Sequence, residues 1–171
     1  MRVPKVVIYP LIAIIVAVCG LVLFRAWFNS IQIKPATAAK ICGAFSDQVK
    51  ADITHNRDYT VQDSRRTCEP VEDEVGLQDY KLTVRFQVAV DDLDSETSAT
   101  ERMRTLARAL PRRDYPVSIT NMPYLPSPGA LCVTASRYLD NDGKDVPQGP
   151  ADRTYRYLTQ ADTDTTSCLV Q

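Results

Sequence analysis

Residues 80–90, YKLTVRFQVAV, set the frame for the rest of the chain. Tyr80, Leu82, Val84, Phe86, Val88 and Val90 alternate with Lys81, Thr83, Arg85, Gln87 and Ala89. That period of two makes one face of a strand apolar and leaves the other polar. Such a strand needs an apolar layer on one side only, so it predicts a sheet with helices packed against one face, and residues 80–90 are read as its central strand.

The segments on either side supply the layer and the neighbouring strands. Toward the C-terminus, Ser98-Ala99-Thr100-Glu101 reads as a capping box opening a helix whose stripe is Ala99, Met103, Leu106, Ala107 and Leu110; Pro111 stops it. Residues 115–120, 130–139 and 153–159 alternate again and predict three more strands. Asp140-Asn141-Asp142-Gly143 fails the ligand spacing of a calcium loop and reads instead as a hairpin turn, since Asn and Asp before Gly tolerate positive φ. Toward the N-terminus, Thr37 can cap a helix with Ala38, Ile41, Cys42, Phe45, Val49 and Ile53 on one side. Residues 59–67 read as an edge strand and 68–79 as an acidic connector. The sum is an α+β domain of two helices on one mostly antiparallel sheet.

Residues 6–24, VVIYPLIAIIVAVCGLVLF, are uncharged and lie between Lys5 and Arg25. As a helix they reach roughly 28 Å at about 1.5 Å per residue, close to the hydrocarbon thickness of a bilayer. Arg25-Ala26-Trp27-Phe28 resembles an interfacial belt more than a processing site. Lipidation at Cys19 is disfavoured by bulky Val18 before it, and Cys19 reads as a small apolar residue of the helix. The expected organisation is a cytoplasmic N-terminus at 1–5, a transmembrane signal anchor at 6–28, a linker at 29–36 and an extracytoplasmic domain at 37–171. Lipid contact is expected through 6–28.

Outside the anchor stand Cys42, Cys68, Cys132 and Cys168, an even set that suits an oxidising compartment. Sequence-near partners cost least loop entropy, which favours Cys42 with Cys68 and Cys132 with Cys168, each bridge worth about 3 kcal/mol. Metal spacing is missing, and the chain has one histidine, His55. Cys42-Gly43-Ala44-Phe45 on a helix, followed by Thr67-Cys68 and a long strand, resembles small extracytoplasmic cell-envelope proteins of actinobacteria. The resemblance implies a cell-envelope setting and no particular activity.

Chemistry is tested by inventory. No Gly-x-Ser-x-Gly elbow and no phosphate-cradling glycine loop occurs, His55 lies in a charged connector, and no acid sits in an apolar pattern that would raise its pKa. Catalysis, a cofactor and a metal are therefore not expected. A formal net charge of −1 argues against a nucleic-acid partner. Two surfaces remain. Arg104 and Arg108 on the second helix and Arg112 just past Pro111 could hold an anionic ligand, although macrodipole complementation accounts for them as well. Asp91, Asp92, Asp94 and Glu96 could bind a cation, but helix-start electrostatics explains them more cheaply. The proline-stiffened loop 121–129 carries Met122, Tyr124 and Leu125 as a docking surface for a membrane-protein partner. The expected function is a membrane-anchored, non-catalytic accessory or interaction subunit of a bacterial cell-envelope complex; the alternative is a sensor or carrier domain for a small ligand or anionic polymer.

Overall fold

A computed structural model of the chain describes residues 5–30, 33–72, 78–91, 93, 95–122, 129–147, 151–159 and 168. In chain order the elements are α1 (Lys5–Ser30), α2 (Pro35–Thr54), β1 (Thr60–Glu72), β2 (Gln78–Ala89), α3 (Glu96–Ala109), β3 (Val117–Met122), β4 (Ala130–Leu139) and β5 (Arg153–Arg156). The class is α+β, with three helices and a mixed five-stranded sheet of order β1-β2-β4-β3-β5. β1 pairs antiparallel with β2, β2 with β4 and β4 with β3, while β5 runs parallel to β3.

The alternation read at 80–90 appears as a strict buried and half-buried succession along β2, with Leu82, Val84, Phe86 and Val88 fully buried. β2 is nevertheless second in the sheet and β4 is central, because a single strand's pattern carries no information about how many neighbours lie on each side. The helices divide the apolar face between them. α2 packs over β1 and β2, whereas α3 packs mainly over β3 and β5. Phe45, Ile53, Met103, Leu106, Ile119, Leu131 and Val133 join Phe86 in one core beneath both helices.

The helix termini follow local chemistry at positions slightly displaced from those predicted. α2 starts with Pro35, whose missing N–H is harmless in a first turn, behind an extended Lys34 that provides no side-chain cap. Thr37 thus lies inside the helix. The α3 capping box is Ser95 and Ser98, each hydroxyl accepting the other's backbone N–H at 3.1 Å. Glu101 is then a mid-helix residue that pairs with Arg104 at 2.7 Å.

β1 extends through Glu72 and takes up the first half of the expected acidic connector, with a bulge between Val61 and Asp63. It is the edge strand predicted. Asn121 and Met122, expected in the docking loop, complete β3 instead. The turn at 140–144 forms as read: the Asp140 carboxylate accepts from the backbone N–H groups of Asp142 and Lys144, and Gly143 adopts φ 80°. From it the chain continues as the isolated Leu139–Asp145 bridge and a Val146 N–H bond to the Tyr138 carbonyl, and not as a hairpin with β5. Both edges of β4 are occupied by β2 and β3, so the following strand crosses to the far side of β3 and runs parallel.

α1 is helical for 26 residues. Its described side chains, 14–27, are all exposed, from Ile14 through Phe24 to Trp27. Among the described residues no helix is long and apolar enough to cross a membrane.

Candidate functional site

Both helices cover the same side of the sheet, so the alternate residues of its strands form an opposite, helix-free face. The register places Arg65 directly opposite Arg85, Thr67 opposite Thr83 and Glu69 opposite Lys81. These six side chains line a cleft of about 210 Å³. Lys81 continues toward β4, its Nζ 5.7 Å from the Tyr138 ring. Three cations therefore surround a cleft holding one carboxylate. Glu69 and Lys81 form an opposite-charge cross-strand pair, which stabilises a sheet; Arg65 and Arg85 form a like-charge pair, which destabilises one.

The other end of this face is closed. Cys132 on β4 is disulfide-bonded to Cys168, the Cα atoms 5.6 Å apart, and both residues are buried. One of the two expected bridges is thus present. Cys42 and Cys68 are free thiols within hydrogen-bonding reach of each other between α2 and β1, which corrects the expectation of a second bridge. Cys42 donates its S–H to the Thr67 carbonyl at 3.4 Å. Burial, and then the neighbouring Cys68, push the Cys42 thiol up to about 11. The thiolate is the form that attacks a disulfide or a substrate, so this pair is poorly suited to a nucleophilic role at neutral pH. Arg66 lies over it, its Nη1 3.2 Å from where a Cβ on Gly43 would stand.

The three arginines singled out on the second helix do not converge. Arg104 is held by Glu101 and by the Tyr155 hydroxyl at 3.2 Å, with its guanidinium 5.9 Å from that ring. Arg108 is exposed in the last turn of α3. Arg112 instead borders a wide recess of about 520 Å³ with Arg113, Ala151, Asp152 and Arg153. Arg113 is tied to Asp52 of α2 by contacts of 2.9 and 3.1 Å. Tyr115 donates to the same carboxylate at 3.2 Å and is pushed up to about 12 by burial and by the Asp52 charge. Arg153 donates to the Pro111 carbonyl, and burial lowers its pKa.

Of the proposed docking residues, Met122 is half-buried at the end of β3, while Tyr124 and Leu125 lie outside the described residues. Asp92 and Asp94 of the acidic cluster lie outside them too, and among the described residues no group of ligating side chains could hold a metal. Arg65, Thr67 and Arg85 were missed as a site. The alternation does place Lys81, Thr83 and Arg85 together on the polar face, but the β1 register that sets Arg65 and Thr67 beside them is absent from local pattern. No protein-family model, curated protein or solved structure matches the chain.

Proposed function

We propose that this chain is a single-pass membrane protein in which α1 anchors a non-catalytic, extracytoplasmic binding domain, serving as an accessory or interaction subunit of a bacterial cell envelope. The observation that carries the reading is the character of α1. Residues 6–24 are uncharged, the helix is 26 residues long, and Ile14, Ile15, Val16, Val18, Leu21, Val22, Leu23 and Phe24 are exposed around it. A helix apolar on all sides belongs in a large core or in lipid, and the uncharged run of residues 6–24 supports the second reading. Trp27, its ring 6.0 Å from that of Phe24, and Arg25 suit the interface where the helix leaves the lipid.

Alkaline carbonate extraction of membranes bearing the full chain, followed by protease added from outside, tests this. The protein should stay in the pellet and lose its C-terminal domain to the protease, and Val16→Lys with Leu21→Lys should release it. Recovery of the unaltered chain in the soluble fraction would refute the anchor. The reading as a carrier or sensor of an anionic ligand has its own support in the cleft where Arg65 faces Arg85.

A further inference from the structure

Ile33, three residues past the end of α1, is already packed in the domain core. The four residues between Ser30 and Pro35 reach at most about 14 Å. With α1 in lipid, the end of the domain where α2 begins is therefore held beside the head groups. Gly143, in the turn after β4, lies at that end, since a Cβ on it would stand 2.8 Å from Ile33 Cδ1. β3 runs antiparallel to β4 and parallel to β5, so both strands begin at the end where β4 finishes. Asp114 and Pro116, leading into β3, share a pocket with Arg137, Tyr138 and Asp145 beside that turn. The recess bordered by Arg112, Arg113, Asp152 and Arg153 thus lies toward the anchored end of the domain.

Charge at this end is unevenly satisfied. The acids of the turn are engaged: Asp140 accepts backbone N–H groups, Asp142 pairs with Lys144 and Asp145 with Arg137. Arg113 is paired with Asp52. Arg112 is exposed and, among the described residues, has no carboxylate partner. Arg153 donates Nη2 to the Pro111 carbonyl, while its Nη1 is buried without an acceptor among the described residues, a costly state for a charged donor. Asp152 is the one carboxylate lining the recess beside three guanidinium groups, and Asp114 faces the neighbouring pocket of Arg137. We infer that this recess of about 520 Å³ is a site for the head group of an anionic phospholipid. Arg112 meets the phosphodiester from solvent, and Arg153, by turning its guanidinium toward the recess, finds there the acceptor it lacks. The recess is wide enough for a head group where a lone ion would leave it open. The inference rests on the anchor reading of the proposed function, which brings the recess to the lipid surface, where basic side chains gain from anionic head groups.

Full-length protein in maltoside micelles, titrated by calorimetry with glycerophosphoglycerol, glycerophosphocholine and inorganic phosphate at matched ionic strength, tests the site. Saturable binding, tightest for glycerophosphoglycerol, is expected; tighter binding of inorganic phosphate, or equal binding of glycerophosphocholine, would overturn the head-group assignment. Arg112→Gln should raise Kd about fivefold, the contribution of one basic residue beside an anionic surface, and Arg153→Gln at least as much. Because Arg112 is exposed, its variant reads binding without loss of the fold. Arg57→Gln, just past the far end of α2, should leave Kd unchanged. In nanodiscs, replacing phosphatidylcholine by equal parts of phosphatidylcholine and phosphatidylglycerol should slow amide exchange at 112–113 and 151–153 about fivefold, and the Arg112→Gln, Arg153→Gln double variant should lose that difference. Equal exchange in the two discs, or unchanged affinity in the double variant, would overturn the inference. Release of the chain by carbonate with glycerophosphoglycerol binding intact would refute the anchor alone; retention in the pellet without that binding would refute the site alone.

Discussion

The two faces of the sheet are built from alternate residues of the same strands, yet they obey different rules. On the helix-covered face, Leu82, Val84, Phe86 and Val88 meet Ile119, Leu131 and Val133, and what matters is volume and water exclusion. On the helix-free face, their immediate neighbours Lys81, Thr83 and Arg85 are half-buried and what matters is which charge stands opposite which. A one-residue slip would exchange the two sets, so the apolar face holds in register the polar one that it does not touch. The core thereby sets Arg65 opposite Arg85.

The contrast is sharpest at two adjacent residues. Phe86→Ala should cost about 3–5 kcal/mol in urea unfolding, since a fully buried ring leaves a cavity in the core. Arg85→Ala should stay within about 0.5 kcal/mol of the parent; equal losses at the two positions would break the distinction between the faces. Removing the Cys132–Cys168 bridge, which closes a sequence separation of 36, should cost about 2–5 kcal/mol, while Cys42→Ala should cost less because no cross-link is lost. Mass spectrometry after alkylation in denaturant should find Cys42 and Cys68 modified without prior reduction and Cys132 and Cys168 only after it.

Asn121 is the polar exception on the covered face. Its side chain is buried, donates to the Leu158 carbonyl at 2.9 Å and accepts the Leu158 N–H, fastening the segment after β5 to β3. Asn121→Leu should cost about 1–3 kcal/mol by leaving both backbone groups unpaired, read as faster hydrogen exchange at 157–159. A smaller and conditional effect comes from pH. Tyr115 has its pKa raised from an ordinary value of 10.0 to about 12, and Tyr59 is raised by burial. The unfolded chain loses these protons first, so the folded state's advantage is complete below about pH 10 and is lost as pH rises through about 12. Unfolding free energy should fall between about pH 10 and pH 12, and Tyr115→Phe should flatten that fall.

Much of the layout was legible in the sequence because it depends on period and punctuation. The strands at 80–90 and 130–139, the α3 stripe of Met103 and Leu106, the turn at Gly143 and the pairing of Cys132 with Cys168 all follow from local spacing. The site was less legible. Arg104 and Arg108 on α3 and Arg112 beyond its end are directed to Tyr155, to solvent and to the recess beside Arg153, because spacing along the chain says nothing of what lies across from each side chain. Cys42 and Cys68 were read as bonded from their number and spacing, whereas burial beside one another holds the Cys42 thiol protonated.

By itself the sequence determined an N-terminal helix with an uncharged run at 6–24, an α+β class, and strands with one apolar face, since these come from residue periodicity and chain stiffness within a few turns. Only tertiary structure decided that β4 lies at the centre, that β5 runs parallel to β3, and that Arg65 stands opposite Arg85. Those outcomes depend on which strand edges remain open after the first pairings form, a competition between distant segments that no local pattern records.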